Sequence, residues 1–227
     1  ETIFVWFENY LVQTDELKGK KVLVTAGPTY EALDPVRFIG NHSSGKMGFS
    51  LANAATQRGA EVTLIAGPTM LRTPRNVTRI DINTAEEMFN AVKDNLKGID
   101  VVIMSAAVAD YKPKSIVQGK IKKTAGNMTI ETEKTVDILE YLGKNKKDYK
   151  LVGFALETEN EIDYAKGKID KKNLDMIVVN NPKVDGAGFK TDTNVITIID
   201  SKGNQTEYPK MSKFDAAVKI LDKILTL

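Results

Sequence analysis

Short apolar runs closed by small or turn-forming residues, alternating with amphipathic stretches, are the feature that most constrains this fold. Such runs stand at KKVLVTAG (20–27), EVTLIAG (61–67), TRIDI (78–82), DVVIMSAA (100–107), KLVGFA (150–155) and LDMIVV (174–179). KKVLVTAG, an apolar run rich in Val that stops at Gly-Pro, fits a strand buried on both faces, and the others read as further strands, TRIDI among them. Between them the spacing predicts a helix from about Gly45 to Gly59, with Met47, Leu51, Ala54 and Ala55 on one side. A second helix is predicted over TAEEMFNAVKDNL, opened by Thr84 and Glu87 as a capping box. A third falls within 157–173, where Ile162, Ala165 and Ile169 share a side. Alternation of this kind implies an α/β, Rossmann-like three-layer fold: a mostly parallel sheet with helices on both faces. NVITIIDSKGNQTEYP then reads as a hairpin (194–208) around Lys202-Gly203-Asn204, and KFDAAVKILDKIL as a closing amphipathic helix. The expected organisation is a helix and linker over 1–18, with Ile3, Phe4, Phe7, Tyr10 and Leu11 near helical spacing, ahead of one domain over 19–227.

Two segments break the rhythm. Residues 111–136 carry Lys112, Lys114, Lys120, Lys122 and Lys123 and are too long for an ordinary connection, so they read as a flap over a binding site. Residues 180–194 hold Pro182, Gly186 and Gly188 and read as a second functional loop.

Composition narrows the function. The 32 basic and 30 acidic side chains leave a net charge of only +2, so no nucleic-acid partner is indicated, and anion binding must come from local clusters. No apolar run approaches the roughly 20 residues of a membrane helix. With no cysteine there is no disulfide, thiolate metal site or cysteine nucleophile, and the single His42 excludes a multi-histidine centre. A cytoplasmic setting is the expectation. The chain starts at Glu1 rather than Met, as expected for part of a longer polypeptide or a processed chain.

The entry to the first helix, NHSSGKMG, is the most informative stretch. Ser43, Ser44, Gly45, Lys46 and Gly48 combine small residues, free amides at a helix N-terminus and a nearby cation, as a phosphate site requires. The competing reading is a serine-capped helix with tight glycine packing. Gly40 to Lys46 matches G-x-x-x-x-G-K, but Met47 replaces the Mg²⁺-binding Ser or Thr and the segment lies well beyond its strand, against a Walker loop. No G-x-G-x-x-G is present and the second strand ends in Ala66, Gly67 and Pro68 rather than an acid, which disfavours NAD. Tyr164 and Lys168 have the Y-x-x-x-K spacing of short-chain reductases, a pattern too short to outweigh the missing glycines. SAAVADY (105–111) ends a strand with small residues and Asp110 at the edge where open α/β sheets bind ligands, although the alanines equally serve helix packing.

VTAGPTYEALDPVRFIGNHSSGKMG, SAAVADYKP, KIKK, GFALETEN and KKNLDMIVVN occur together and in this order. From about Lys18 to Leu227 this set resembles the bacterial phosphopantothenoylcysteine synthetase family of coenzyme A biosynthesis. The resemblance implies a ligase that joins 4′-phosphopantothenate to L-cysteine through an acyl-cytidylate, converting CTP to CMP and pyrophosphate with Mg²⁺ (or Mn²⁺). It implies a catalytic Asn41 acting on the acyl-cytidylate and a flap lysine, Lys120, closing on the substrates. It further implies nucleotide contacts from Ser43, Ser44, Gly45, Lys46 and Gly48, from Met104, Ser105, Ala106 and Asp110, and from Val136, Asp137, Ile138, Leu139, Phe154, Lys168 and Lys172. CTP as the nucleotide rests on the resemblance alone, and no metal ligand is assigned. A homodimer is expected, with the 194–208 hairpin as a candidate interface element, as is fusion behind a flavin-dependent decarboxylase. A nucleotide-binding regulatory module and an NAD(P)-dependent reductase are the alternatives from other classes.

Overall fold

The structure, a computed structural model, describes residues 14–123, 126–156, 161–180, 188 and 191–227. The N-terminal helix expected over the first residues therefore falls mainly outside the described part, as does most of the 180–194 loop. Elements in chain order are β1 (Lys21–Ala26), β2 (Tyr30–Ala32), β3 (Phe38–Gly40), α1 (Lys46–Gln57), β4 (Glu61–Ala66), β5 (Val77–Asp81), α2 (Ala85–Asp94), β6 (Val101–Met104), β7 (Tyr111–Pro113) and β8 (Thr132–Lys134). They continue with α3 (Ile138–Lys144), β9 (Lys150–Leu156), α4 (Glu161–Lys172), β10 (Met176–Asn180), β11 (Thr193–Asp200), β12 (Gln205–Ser212) and α5 (Lys213–Leu225).

The main sheet runs β12-β11-β10-β9-β6-β1-β4-β5, parallel from β10 to β5, with β11 and β12 added antiparallel. Counting only the parallel strands in chain order, this is 3-2-1-4-5-6, the doubly wound Rossmann order, whose switch point falls between β1 and β6. Alternate residues of each strand feed two cores. Val22, Val24, Val62, Leu64, Ile103, Val152 and Val178 pack beneath α1 and α5. Leu23, Ile65, Val102, Leu151 and Ile177 pack beneath α2, α3 and α4. A fully buried Val, Leu or Ile contributes roughly 1.5–3 kcal/mol, so both faces of this sheet are sources of stability.

The six predicted parallel strands are present, and Thr84 and Glu87 form the predicted capping box at α2. Three features were not expected from the sequence: the β2–β3 hairpin, the short helix α3, and a two-stranded arm at the base of the flap. The flap is thus not wholly a loop, since β7 pairs antiparallel with β8, Tyr111 facing Lys134 and Pro113 facing Thr132. Strands of three residues are too short to show a period, which is why these pairs are invisible in the sequence. The flap is also tied down further out. Ile121 N–H donates to Asp34 Oδ2 (3.0 Å), and Arg37 donates to the Ile121 carbonyl (2.6 Å).

Candidate active site

The strand ends at the switch point are stitched together before they diverge. Ala107 N–H donates to the Gly27 carbonyl (2.9 Å), Ala106 N–H to Thr25 Oγ1 (3.2 Å) and Ala109 N–H to Thr29 Oγ1 (3.0 Å). These bonds hold the SAAVAD segment beside the start of α1. A cleft of about 630 Å³ opens here, walled by the α1 entry, the ends of β6, β9 and β10, and the starts of α3 and α5.

The N-terminus of α1 bears on both readings of NHSSGKMG. The cap residue is Gly45, left-handed at φ 81°, and no side chain caps the helix. Ser43 Oγ instead accepts from Gly45 N–H (3.3 Å), and the Ser44 carbonyl accepts from Thr69 Oγ1 (3.0 Å). The helix is therefore not serine-capped. The cap position has no side-chain acceptor and the first turn carries no acidic residue, so among the described residues the positive end of the helix dipole opens toward the cleft without a carboxylate of its own helix. Gly48 plays a different part from the one implied by phosphate contact alone. A Cβ there would lie 2.5 Å from Ala26 Cβ and 2.9 Å from the Thr25 carbonyl oxygen, so its bareness lets α1 press onto β1.

Around this anion-attracting end stand most of the residues singled out in the sequence. Asn41, Ser43, Ser44, Gly45, Lys46, Gly48, Met104, Ser105, Ala106, Asp110, Val136, Asp137, Ile138, Leu139, Phe154 and Lys172 all line the cleft. Asn41 Nδ2 donates to the carbonyls of Ala107 (3.0 Å) and Val108 (3.2 Å), so its amide braces the β6 exit. Asp137 caps α3, accepting from Glu140 N–H (2.9 Å), and receives Lys172 Nζ at 2.8 Å. Burial opposes its ionisation, but Lys172 and the Glu140 amide outweigh that and hold its pKa below the usual carboxylate range.

Lys120 and Lys168 stand outside the cleft walls. Lys120 is exposed on the flap next to the Ile121 anchor, and Lys168 is half-buried on α4.

Several wall residues escaped the sequence analysis. Lys213 is 6% exposed, and its ammonium donates to the carbonyls of Thr191 (2.8 Å), Thr193 (2.9 Å) and Gly188 (3.2 Å) and to Thr191 Oγ1 (3.1 Å). Burial lowers its pKa, and neighbouring Lys46 adds to that. A lysine at the first position of a helix, where the dipole disfavours a cation, was the available signal. Asn180 lines the same wall, and its buried Oδ1 has no hydrogen-bond partner among the described residues. Lys46 Nζ pairs with Asp192 Oδ1 at 2.6 Å, which depresses the Asp192 pKa.

A doubly wound α/β domain with an open cleft at its switch point is the class that fold and site define. Comparison with known proteins makes it specific. The family described as "DNA/pantothenate metabolism flavoprotein C-terminal domain" matches residues 17–227, and the chain belongs to it. The chain is similar to the coenzyme A biosynthesis bifunctional protein CoaBC of Bacillus subtilis, 50% identical over 212 residues, 93% of this chain and 52% of that protein. It is likewise similar to the protein of that name from Vibrio parahaemolyticus, 47% identical over 219 residues, 95% of this chain and 54% of the relative. It thus spans about half the length of these relatives. Among solved structures, the C-terminal domain of a bifunctional CoaBC protein superposes with a TM-score of 0.81 at 42% identity, covering 94% of this chain and 97% of that one.

Proposed function

We propose that the chain is the ligase module of coenzyme A biosynthesis, forming the amide between 4′-phosphopantothenate and L-cysteine with CTP as the activating nucleotide. The observation that carries this reading is the uncapped α1 N-terminus opening onto a cleft that also holds Asn41 and Asp110, in a chain of this family. The triphosphate lies against the first-turn amides and Lys46. The substrate carboxylate attacks the α-phosphorus, the bond to the β-phosphate breaks, and pyrophosphate leaves. The cysteine amine then attacks the acyl carbon, loses a proton and displaces CMP.

Both steps gather negative charge, which preorganised amide donors stabilise without reorganising. In this reading Asn41 offers such a donor by exchanging one of its two bonds to the β6 exit for the intermediate. The flap, anchored at Ile121, brings Lys120 over the occupied cleft. For the magnesium ion the fit is reasonable: Asp110 lines the cleft and has no cation partner among the described residues, and Mg²⁺ commonly binds through one or two carboxylates plus substrate phosphates. When bound it neutralises phosphate charge, with Asp110 as the residue that would hold it.

A homodimer belongs to this reading. Val36, Phe38, Tyr111, Ile116 and Val117 are exposed apolar residues on the β2–β3 hairpin and the flap base, a stronger candidate contact than the polar outer strand of the 193–212 hairpin. Omitting cysteine tests the chemistry. An acyl-cytidylate should accumulate on mixing CTP with phosphopantothenate, and its absence in the presence of pyrophosphate release would contradict the proposed order of steps.

A further inference from the structure

A second cavity, of about 720 Å³, lies over the face of α1 that carries Lys46, Phe49, Ser50 and Asn53. Its far wall is the β4–β5 connection, and Lys46, Asp192 and Lys213 form its boundary with the first cleft, Lys46 and Lys213 lining both. The charge of this cavity is unbalanced. The chain has five arginines. Arg37 pairs with Asp34, Arg58 with Glu16 and Asp222, and Arg79 with Asp81. The remaining two, Arg72 and Arg75, pair with no carboxylate among the described residues, and both line this cavity. Among the described residues Asp192 is the one acidic side chain in the wall, and it is engaged by Lys46 at 2.6 Å. A guanidinium fork matches phosphate oxygens in pairs, so the forks of Arg72 and Arg75, in a cavity that Lys46 also lines, suit a compact polyanion.

The wall that carries the arginines is tied to the phosphate loop. Thr69 Oγ1 donates to the Ser44 carbonyl (3.0 Å), while Arg79 donates to the Leu71 carbonyl (2.9 Å) and lies over the Phe49 ring. These contacts join the segment holding Arg72 and Arg75 to the α1 entry.

We propose that this cavity is a second anion site, on the far side of Lys46 from the nucleotide, which takes inorganic pyrophosphate as it leaves the first cleft. The inference rests on the ligase reading for the source of the pyrophosphate. In the nucleotide-free state Lys46 rests on Asp192, and a passing polyanion exchanges that carboxylate for its own oxygens. Lys213, bonded to the carbonyls of Gly188, Thr191 and Thr193, keeps the boundary in place.

The test is calorimetric titration of pyrophosphate, with and without Mg²⁺, into the chain saturated with a non-hydrolysable CTP analogue that fills the first cleft. One pyrophosphate per chain should still bind. The double substitution Arg72→Gln/Arg75→Gln should weaken that binding by about tenfold or more, as expected for loss of charge-assisted contacts, and leave analogue affinity and thermal unfolding unchanged. No uptake by the analogue-loaded chain, equal affinity in the double variant, or sulfate binding as tightly as pyrophosphate would each overturn the proposal. Should the ligase reading fail instead, the CTP analogue would not bind, while pyrophosphate titrated alone would still report the arginine pair.

Discussion

At the scale of single residues, the site depends on groups that do two things at once. Asn41 is both a brace, through its bonds to Ala107 and Val108, and the proposed donor to the acyl-cytidylate. Asn41→Asp turns the Nδ2 donor into an anionic acceptor facing two carbonyls and brings charge next to phosphate. The expected result, read by single-turnover kinetics, is an intermediate that still forms but reacts onward on the order of 100-fold more slowly, the size of effect seen when one preorganised donor is lost. Amide formation at the parent rate would remove Asn41 from the chemistry. Gly48 is the contrasting case, needed for packing. Gly48→Ala drives a methyl into Ala26 and the Thr25 carbonyl, and overpacking of this kind costs about 1–3 kcal/mol, to be read as a lower melting temperature together with weaker nucleotide binding.

At the scale of elements, what the sequence made legible follows the length of each periodic signal. β1, β4, β6, β9 and β10 announced themselves because a buried parallel strand is a continuous apolar run, and α2 because Thr84 and Glu87 carry a capping signature. The arm β7–β8 and the hairpin β2–β3 did not, because their order comes from contacts distant in sequence. Asp34 is the example: 2% exposed, it accepts from Val36 N–H, Arg37 N–H and the flap's Ile121 N–H, and burial opposes its ionisation while these donors push its pKa well below the carboxylate range. No local pattern marks a carboxylate whose third partner lies 87 residues away. The motifs of the candidate site were legible for the reverse reason, since NHSSGKMG and SAAVAD are contiguous. Lys213, Asn180 and the cavity beneath Arg72 were not, because only the fold assembles them. The Asp34 anchor predicts that Asp34→Ala frees the flap. Amide exchange at Ile121 should accelerate and turnover should fall, with nucleotide binding at the α1 entry retained; unchanged exchange at Ile121 would show that the flap is held by something else.

At the scale of the whole molecule, the sheet's antiparallel extension is secured by charge as well as by its apolar face. Asp200 ends β11, 4% exposed, accepting from Asn204 and pairing with Lys223 of α5 at 3.0 Å. Burial opposes its ionisation, yet Asn204 and Lys223 together bring its pKa down to about 2. A carboxylate depressed in the folded state adds stability above its unfolded pKa of about 4, and that stability is lost as pH falls through the folded value. Asp200→Asn should therefore be destabilised at neutral pH, with the gap to the parent closing between about pH 4 and pH 2 in denaturant melts. A gap that stays constant across that window would mean the pair contributes through packing alone.

The fold order, the uncapped helix and the family support the proposal that this domain activates a carboxylate with a nucleotide and passes it to cysteine. Incubation of the chain with CTP, 4′-phosphopantothenate, L-cysteine and Mg²⁺, followed by quantification of pyrophosphate and of the amide product, tests it most directly. One pyrophosphate should be released for each amide formed, with no release when phosphopantothenate is left out. Absence of pyrophosphate from the complete mixture would contradict it.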